Sequence, residues 1–285
     1  MIIRHVRAFI LGACICGLTI AADPSEFVDF STPDLPGRLY VPPEAADSER
    51  PVILFLHGAG ETGSNNRAQI NSNVDNLFAA AKERGAFLYA PQAKTVVGGI
   101  FNWNDTDRTN EVMLKLDEIL AGYNTDPNRV YVTGLSMGGG GTWNLLSRYS
   151  DRFAAAVPIA GVRTGDDFEP ANLLTTPIWA FHARNDSVIS ANFSRRVVNS
   201  VLQVAGDPEL EFPSFRDRES VFEFASDSPH LRYTEYPTGG HGIWGTVYGT
   251  AEVQDWMFAQ SVPEPSCSAL TLALFVALVV AKRLV

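Results

Sequence analysis

Cysteine is almost missing from this 285-residue chain, and none of its three copies falls where a folded domain would use it. Cys14 and Cys16 lie in the first 22 residues and Cys267 lies near the other end. A disulfide within the domain, a cysteine nucleophile and a thiolate metal site are therefore excluded. Positive charge is also short: 22 Lys and Arg against 32 Asp and Glu leave a formal net charge of -10. Such a surface repels polyanions, which excludes nucleic acid and anionic membrane faces as partners. No H-E-x-x-H, Walker loop or dinucleotide fingerprint is present. Asp105 and Asp107 near Trp103 come nearest to a cation site, but separated loop acids mostly serve as caps or stay solvated. The expectation is no metal and no cofactor. There is no internal repeat and no sign of a second domain.

What is there is concentrated in residues 131 to 141, Tyr-Val-Thr-Gly-Leu-Ser-Met-Gly-Gly-Gly-Gly. Gly134, Ser136 and Gly138 form a G-x-S-x-G between an apolar strand-like run and a helix-compatible one. A sharp strand-to-helix turn there holds the Ser136 hydroxyl out as a nucleophile, with glycines where side chains would collide. The partners of such a serine follow it in the order acid, then histidine. Of the five histidines, His5 lies in the leader and His57 precedes the serine, leaving His182, His230 and His241. His182 reads as a core or rim histidine at a strand end, and His230 as a surface residue. His241, with glycines on both sides, suits a tight loop that swings an imidazole over the nucleophile. Asp186 follows the apolar strand Ile178 to Phe181 and is the candidate acid; the alternative is a loop-capping Asp. Asp151, Asp166 and Asp167 are weaker because no strand leads directly into them. The assignment is Ser136, Asp186 and His241.

A second apolar strand, Pro51 to Leu56, runs into His57-Gly58-Ala59-Gly60-Glu61. An H-G-x-G loop of this kind offers a backbone N–H to a developing oxyanion, paired with the N–H of the residue after the nucleophile. Those donors are Ala59 and Met137, with His57 fixing the loop. Glu61 either orients the loop or is a solvated carboxylate. Trp103 and Trp244 are candidates for an aromatic substrate platform, with ordinary packing as the alternative.

On Leu56 to Glu61, Tyr89 to Gln92, Val130 to Gly139, Phe153 to Ala160, Pro177 to Asp186 and Tyr233 to His241, the chain resembles α/β-hydrolases of the phospholipase/carboxylesterase–dienelactone hydrolase group. Within that group it is similar to secreted esterases labelled "predicted peptidase" and to polyhydroxybutyrate-depolymerase or feruloyl-esterase-like enzymes. The likeness spans about residues 38 to 260. It departs from the group's pattern at Gly242, which loosens the histidine loop, and at Gly206 to Pro229, a long acidic stretch that is a candidate lid.

The remaining pattern agrees with that fold. Strand-like runs are Arg38 to Val41, Val52 to Leu56, Ala86 to Ala90, Val130 to Thr133, Ala154 to Ile159, Ile178 to Phe181 and Leu231 to Tyr236. Helical patterns cover Val74 to Arg84, Glu111 to Ala121, Thr142 to Tyr149, Asn192 to Val204 and Ala251 to Ala259. Their alternation predicts an α/β fold, a mostly parallel, doubly wound sheet with helices on both faces.

The ends fall outside it. Residues 1 to 22, with Arg4 and Arg7 ahead of an apolar run and Ala21-Ala22 at its close, read as a secretory signal peptide. The apolar run is shorter than the roughly 20 residues a spanning helix needs. Residues 11 to 14 faintly resemble a lipoprotein cleavage box. Residues 23 to 261 form the catalytic domain. Residues 262 to 285 hold Pro263-Glu264-Pro265, an apolar stretch and Lys282-Arg283, and resemble a PEP-CTERM sorting signal; the alternative is an ordinary C-terminal membrane anchor. The resemblance implies export across an inner membrane, processing by an exosortase, and a place at the cell surface or outside the cell.

Three function classes follow. The first is a serine carboxylesterase acting on small esters or acylated polysaccharide. The second is a serine peptidase with the same triad. The third is a decayed hydrolase kept as a surface binding protein, whose signature would be a lost triad member.

Overall fold

Runs of branched and aromatic residues without a polar face make strands that must be covered on both sides, and most strands here are of that kind. The computed structural model describes residues 22–94, 102–162 and 167–262. Its strands are β1 (Phe27–Asp29), β2 (Gly37–Tyr40), β3 (Arg50–Leu56), β4 (Phe87–Pro91), β5 (Thr125–Leu135), β6 (Ala155–Ile159), β7 (Ile178–Ala183), β8 (Phe222–Asp227) and β9 (His230–Tyr236). They form one sheet in the order β1-β2-β4-β3-β5-β6-β7-β9-β8. The pairs from β4 through β9 are parallel. Only β1–β2, β2–β4 and β8–β9 are antiparallel. The chain adopts the mostly parallel, doubly wound sheet that the alternation of elements predicts, in the α/β-hydrolase arrangement that the resemblance implies.

The helices are α1 (Asp75–Arg84), α2 (Thr106–Gly122), α3 (Met137–Tyr149), α4 (Asn192–Ala205), α5 (Trp244–Tyr248) and α6 (Ala251–Phe258). Alternate residues of β3 serve opposite layers. Val52, Leu54 and Leu56 join a core with Val112 and Leu116 of α2, Trp143 of α3 and Val198 of α4. Ile53 and Phe55 face the other way, toward Phe78 of α1, Val247 of α5 and Met257 of α6. The period of two in a strand thus becomes two hydrophobic layers.

Three elements escape the sequence pattern. β1 has three residues, and α5 has five, too few to show a period. β8 lies in the acidic stretch and alternates half-buried with exposed positions, as an edge strand covered on one side does. The segment before β8 is fastened from below. Arg184 donates to the Asp217 and Ser220 carbonyls, and Arg195 to the Pro213 carbonyl. Both guanidiniums also grip the buried Glu235 carboxylate. Three element starts fall five residues before expectation, β5 at Thr125 among them. α2 begins at Thr106, where Asp105 caps it by accepting from the Arg108 N–H at 3.1 Å. α3 begins at Met137, directly after the serine.

From β3 the sheet grows one way to β4 and the other way to β5. A crevice opens outside the carboxyl ends of strands at such a reversal, and there the fold leaves room for a site.

Candidate active site

The serine stands at that reversal. β5 ends at Leu135, α3 starts at Met137, and Ser136 between them has φ 54° and ψ -115°. A non-glycine residue holds such a conformation only when its surroundings over-determine it. Its N–H donates to the Ile159 carbonyl at 2.9 Å, and its carbonyl accepts from the Gly140 and Val162 N–H groups. The flanking glycines are required by close approach. A Cβ on Gly134 would lie 2.3 Å from the Gly138 carbonyl oxygen, and one on Gly138 would lie 1.9 Å from the Leu56 oxygen. The start of α3 therefore rests on the backbone where β3 runs into His57.

His241 follows Gly239 and Gly240, whose φ values of 120° and 65° turn the chain back over the sheet. Gly242 is not among the positive-φ glycines, so the positions of this loop whose backbone conformation calls for glycine are the two before the histidine. The His241 Nδ1 is 2.7 Å from Asp186 Oδ2, and its Nε2 is 2.9 Å from Ser136 Oγ. Nδ1 faces a carboxylate and so carries the ring hydrogen, which leaves Nε2 to accept from the serine hydroxyl. The Gly240 N–H donates to Asn185 Oδ1 at 2.8 Å, tying the histidine loop to the acid loop.

Asp186 has a fully buried side chain in the loop after β7. Its Oδ1 accepts from the Val188 and Ile189 N–H groups at 2.8 and 2.9 Å. Its Oδ2 accepts from His241, and His182 Nε2 stands 3.3 Å from the same oxygen. Burial alone would raise its pKa. The hydrogen bonds from His182, His241, Ile189 and Val188 outweigh that and hold the carboxyl well below the usual range.

The loop after β3 is held as tightly. His57 is fully buried, and its Nε2 accepts from the Ala93 N–H at 2.9 Å. The ring hydrogen is then on Nδ1, which donates to the Gly58 carbonyl at 2.6 Å. Burial pushes the His57 pKa down to about 4, against a smaller upward pull from that carbonyl. Because the Gly58 C=O and the Ala59 N–H belong to one planar peptide, fixing one aims the other. Glu61 is buried, not solvated: Oε1 accepts from the Asn71 and Asn73 side chains, and Gln92 donates to its carbonyl.

Trp103 is a correction. It is fully buried, its indole N–H donates to the His57 carbonyl at 3.0 Å, and its Cβ fills the space beside Gly141. A ring packed under the loop presents no platform to a substrate. Trp244 is half-buried beside His241, ring edge to face with centroids 5.4 Å apart, and its N–H donates to Asn73 Oδ1. Asn73 thus bridges Glu61 and Trp244, a link the sequence reading missed because its partners lie 12 and 171 positions away. Asn185, beside the candidate acid, was missed as well. Of the weaker candidates, Asp151 is exposed, Asp167 is an exposed partner of Arg148, and Asp166 lies outside the described residues. His230 is exposed at the start of β9. Among the described residues no group of three or more His, Cys, Asp or Glu is placed to hold a metal.

A parallel sheet that reverses its growth beside a strained serine, with a histidine and a buried aspartate in line behind it, is the frame of the α/β-hydrolases. Residues 41–236 match the dienelactone hydrolase family, and the chain belongs to it. It is 29% identical over 155 residues to the bifunctional acetylxylan esterase/xylanase XynS20E of Neocallimastix patriciarum, covering 54% of this chain and 22% of that protein. It is 31% identical over 128 residues to poly(3-hydroxyalkanoate) depolymerase C of Paucimonas lemoignei, covering 42% of this chain and 30% of the other. A solved thermostable esterase superposes with a TM-score of 0.66 at 30% identity, covering 84% of this chain and 64% of that one. The chain spans less than a third of the length of the two curated relatives.

Proposed function

We propose that this chain is an exported serine carboxylesterase that cleaves small esters or acylated glycans through an acyl-enzyme. The hydrogen-bonded line from Asp186 Oδ2 through His241 to Ser136 Oγ carries the proposal. His241 takes the proton as Ser136 attacks the acyl carbon, and Asp186 holds the ring tautomer and stabilises the imidazolium. The Ala59 and Met137 N–H groups receive the oxyanion, the first aimed by His57 through the Gly58 peptide. His241 then protonates the leaving alcohol, and water releases the acid by the same route in reverse. Removal of one such donor costs about 3 kcal/mol of barrier, so the loop after β3 is a substantial part of the catalytic machinery.

The relatives' names support an ester bond, and the acetylxylan esterase among them supports an acetylated glycan as substrate. The polyhydroxyalkanoate depolymerase keeps an aliphatic polyester in view. Trp244, half-buried beside His241, is the aromatic group we assign to substrate contact. The test is turnover of p-nitrophenyl acetate, p-nitrophenyl butyrate and a chromogenic peptide amide by the full chain and by Ser136→Ala. Ester cleavage that vanishes in the variant, with the amide untouched, is expected. Amide cleavage would turn the reading toward a peptidase, and silence on all three would refute catalysis by this site.

Both ends lie outside the described residues, and among those described no helix is long and apolar enough to cross a membrane. From the sequence we propose that residues 1 to 22 direct export and that residues 262 to 285 are a sorting signal read by an exosortase. Fusing residues 262 to 285 to an exported reporter should give a processed, membrane-sorted product only in a host that has the exosortase. Equal sorting without it would identify an ordinary anchor.

A further inference from the structure

The residues behind Asp186 extend the line by one step that the triad does not use. His182 is the penultimate residue of β7, four residues before Asp186, and its side chain is fully buried. Its Nε2 faces two acceptors, the Ile189 carbonyl at 3.0 Å and Asp186 Oδ2 at 3.3 Å, and therefore carries the ring hydrogen. Its Nδ1 is 2.8 Å from Ser194 Oγ on α4, a residue that is itself 2% exposed. A polar ring sealed among apolar strands keeps one orientation when both nitrogens are engaged, and here both are.

We infer that His182 is a positioning residue for the reaction, its Nε2–H holding Asp186 Oδ2 toward His241 while Ser194 sets the ring's orientation. The inference rests on the triad reading above. Asp186 then accepts two backbone amides on Oδ1 and the His241 Nδ1–H on Oδ2, and the His182 Nε2–H, shared with the Ile189 carbonyl, stands 3.3 Å from that same Oδ2. Two amides on one oxygen still leave the carboxyl plane free to tilt; a second donor on Oδ2 opposes that tilt and fixes the edge His241 meets. The neighbouring Arg184 guanidinium takes no part, since it is committed to Glu235 and Asp217. Asp186 is kept ionised by the same donors, in keeping with this arrangement.

His182→Leu removes the donor and keeps an apolar side chain of similar reach, whereas His182→Gln keeps an N–H near the Nε2 position. Rates on p-nitrophenyl acetate should be divided by the number of sites titrated with a fluorophosphonate. The expected result for His182→Leu is a fall in kcat of about ten- to a hundredfold per titrated site with KM within about twofold, because a misaimed acid harms the transition state and not substrate binding. His182→Gln should recover most of the loss. Wild-type kcat per site in His182→Leu, with only a lower melting point, would overturn the proposal and leave His182 a core residue. Should the Leu variant fail to fold, the imidazole N–H resonances of the wild type decide. Phosphonylation of Ser136 should shift the His182 N–H signal together with that of His241, because they share one oxygen; a fixed His182 signal would overturn the proposal. Failure of wild type itself to turn over ester or take up the phosphonate would refute the triad, a result distinct from either.

Discussion

At the scale of single residues, the site depends on histidines whose tasks are set by what each nitrogen faces. His57 is locked neutral between an N–H donor and a carbonyl, and burial takes its pKa down to about 4. Unfolded, the same ring titrates near 6.5. Between pH 6.5 and 4 the unfolded chain therefore binds a proton that the folded chain refuses, so stability falls as pH falls through that window and no further below it. The two pKa values imply a cost of about 3 kcal/mol from this ring alone. Urea unfolding at pH 7, 5 and 4 should show wild type losing more stability than His57→Gln; parallel losses would show that the ring is not buried neutral. The grouping of Ser136, His241 and Asp186 was legible in the sequence because order along the chain and glycine flanks mark it. Trp103 stayed open between substrate platform and packing for the converse reason. An aromatic next to an active loop looks the same whether it faces solvent or lies under the loop, and only burial separates the two.

At the scale of elements, the serine turn is built by contact between backbones. α3 starts so close to the end of β3 that position 138 admits no side-chain carbon. Gly138→Ala should force the helix off the strand, at a cost of about 3 kcal/mol or more, the upper end for overpacking. Because the helix start carries the Met137 N–H, esterase activity should fall further than thermal stability explains. A variant that melts and works like wild type would refute the contact. The same approach explains why the glycine run was visible in the sequence while the true start of α3 was not: glycine has poor helix propensity, and packing against β3 overrides it. β8 and α5 were hidden differently, one by an acidic edge face and one by its five-residue length. The long buried strands were plain because burial on both faces leaves continuous apolar runs.

At the scale of the molecule, the reversal of sheet growth between β3 and β5 collects the parts of the site. The loop after β3, the turn after β5, the acid after β7 and the histidine after β9 all leave the sheet at the carboxyl ends of their strands. Neighbouring loops are cross-tied by Asn185 to Gly240 and by Asn73 to Trp244, so the histidine loop is moored to the acid loop and to the residues that hold Glu61. Strand order was legible only as a fold class, since pairing joins residues far apart in the chain, and the cross-ties depend on it. Catalysis through this arrangement requires that Ser136 become acylated during turnover. Mixing the full chain with p-nitrophenyl acetate, quenching in acid within a single turnover and mapping the digest by mass spectrometry tests it directly. An acetyl group on Ser136 that disappears as water completes the cycle is expected; ester turnover with no adduct, or with the acetyl group on another residue, would rule out Ser136 as the nucleophile.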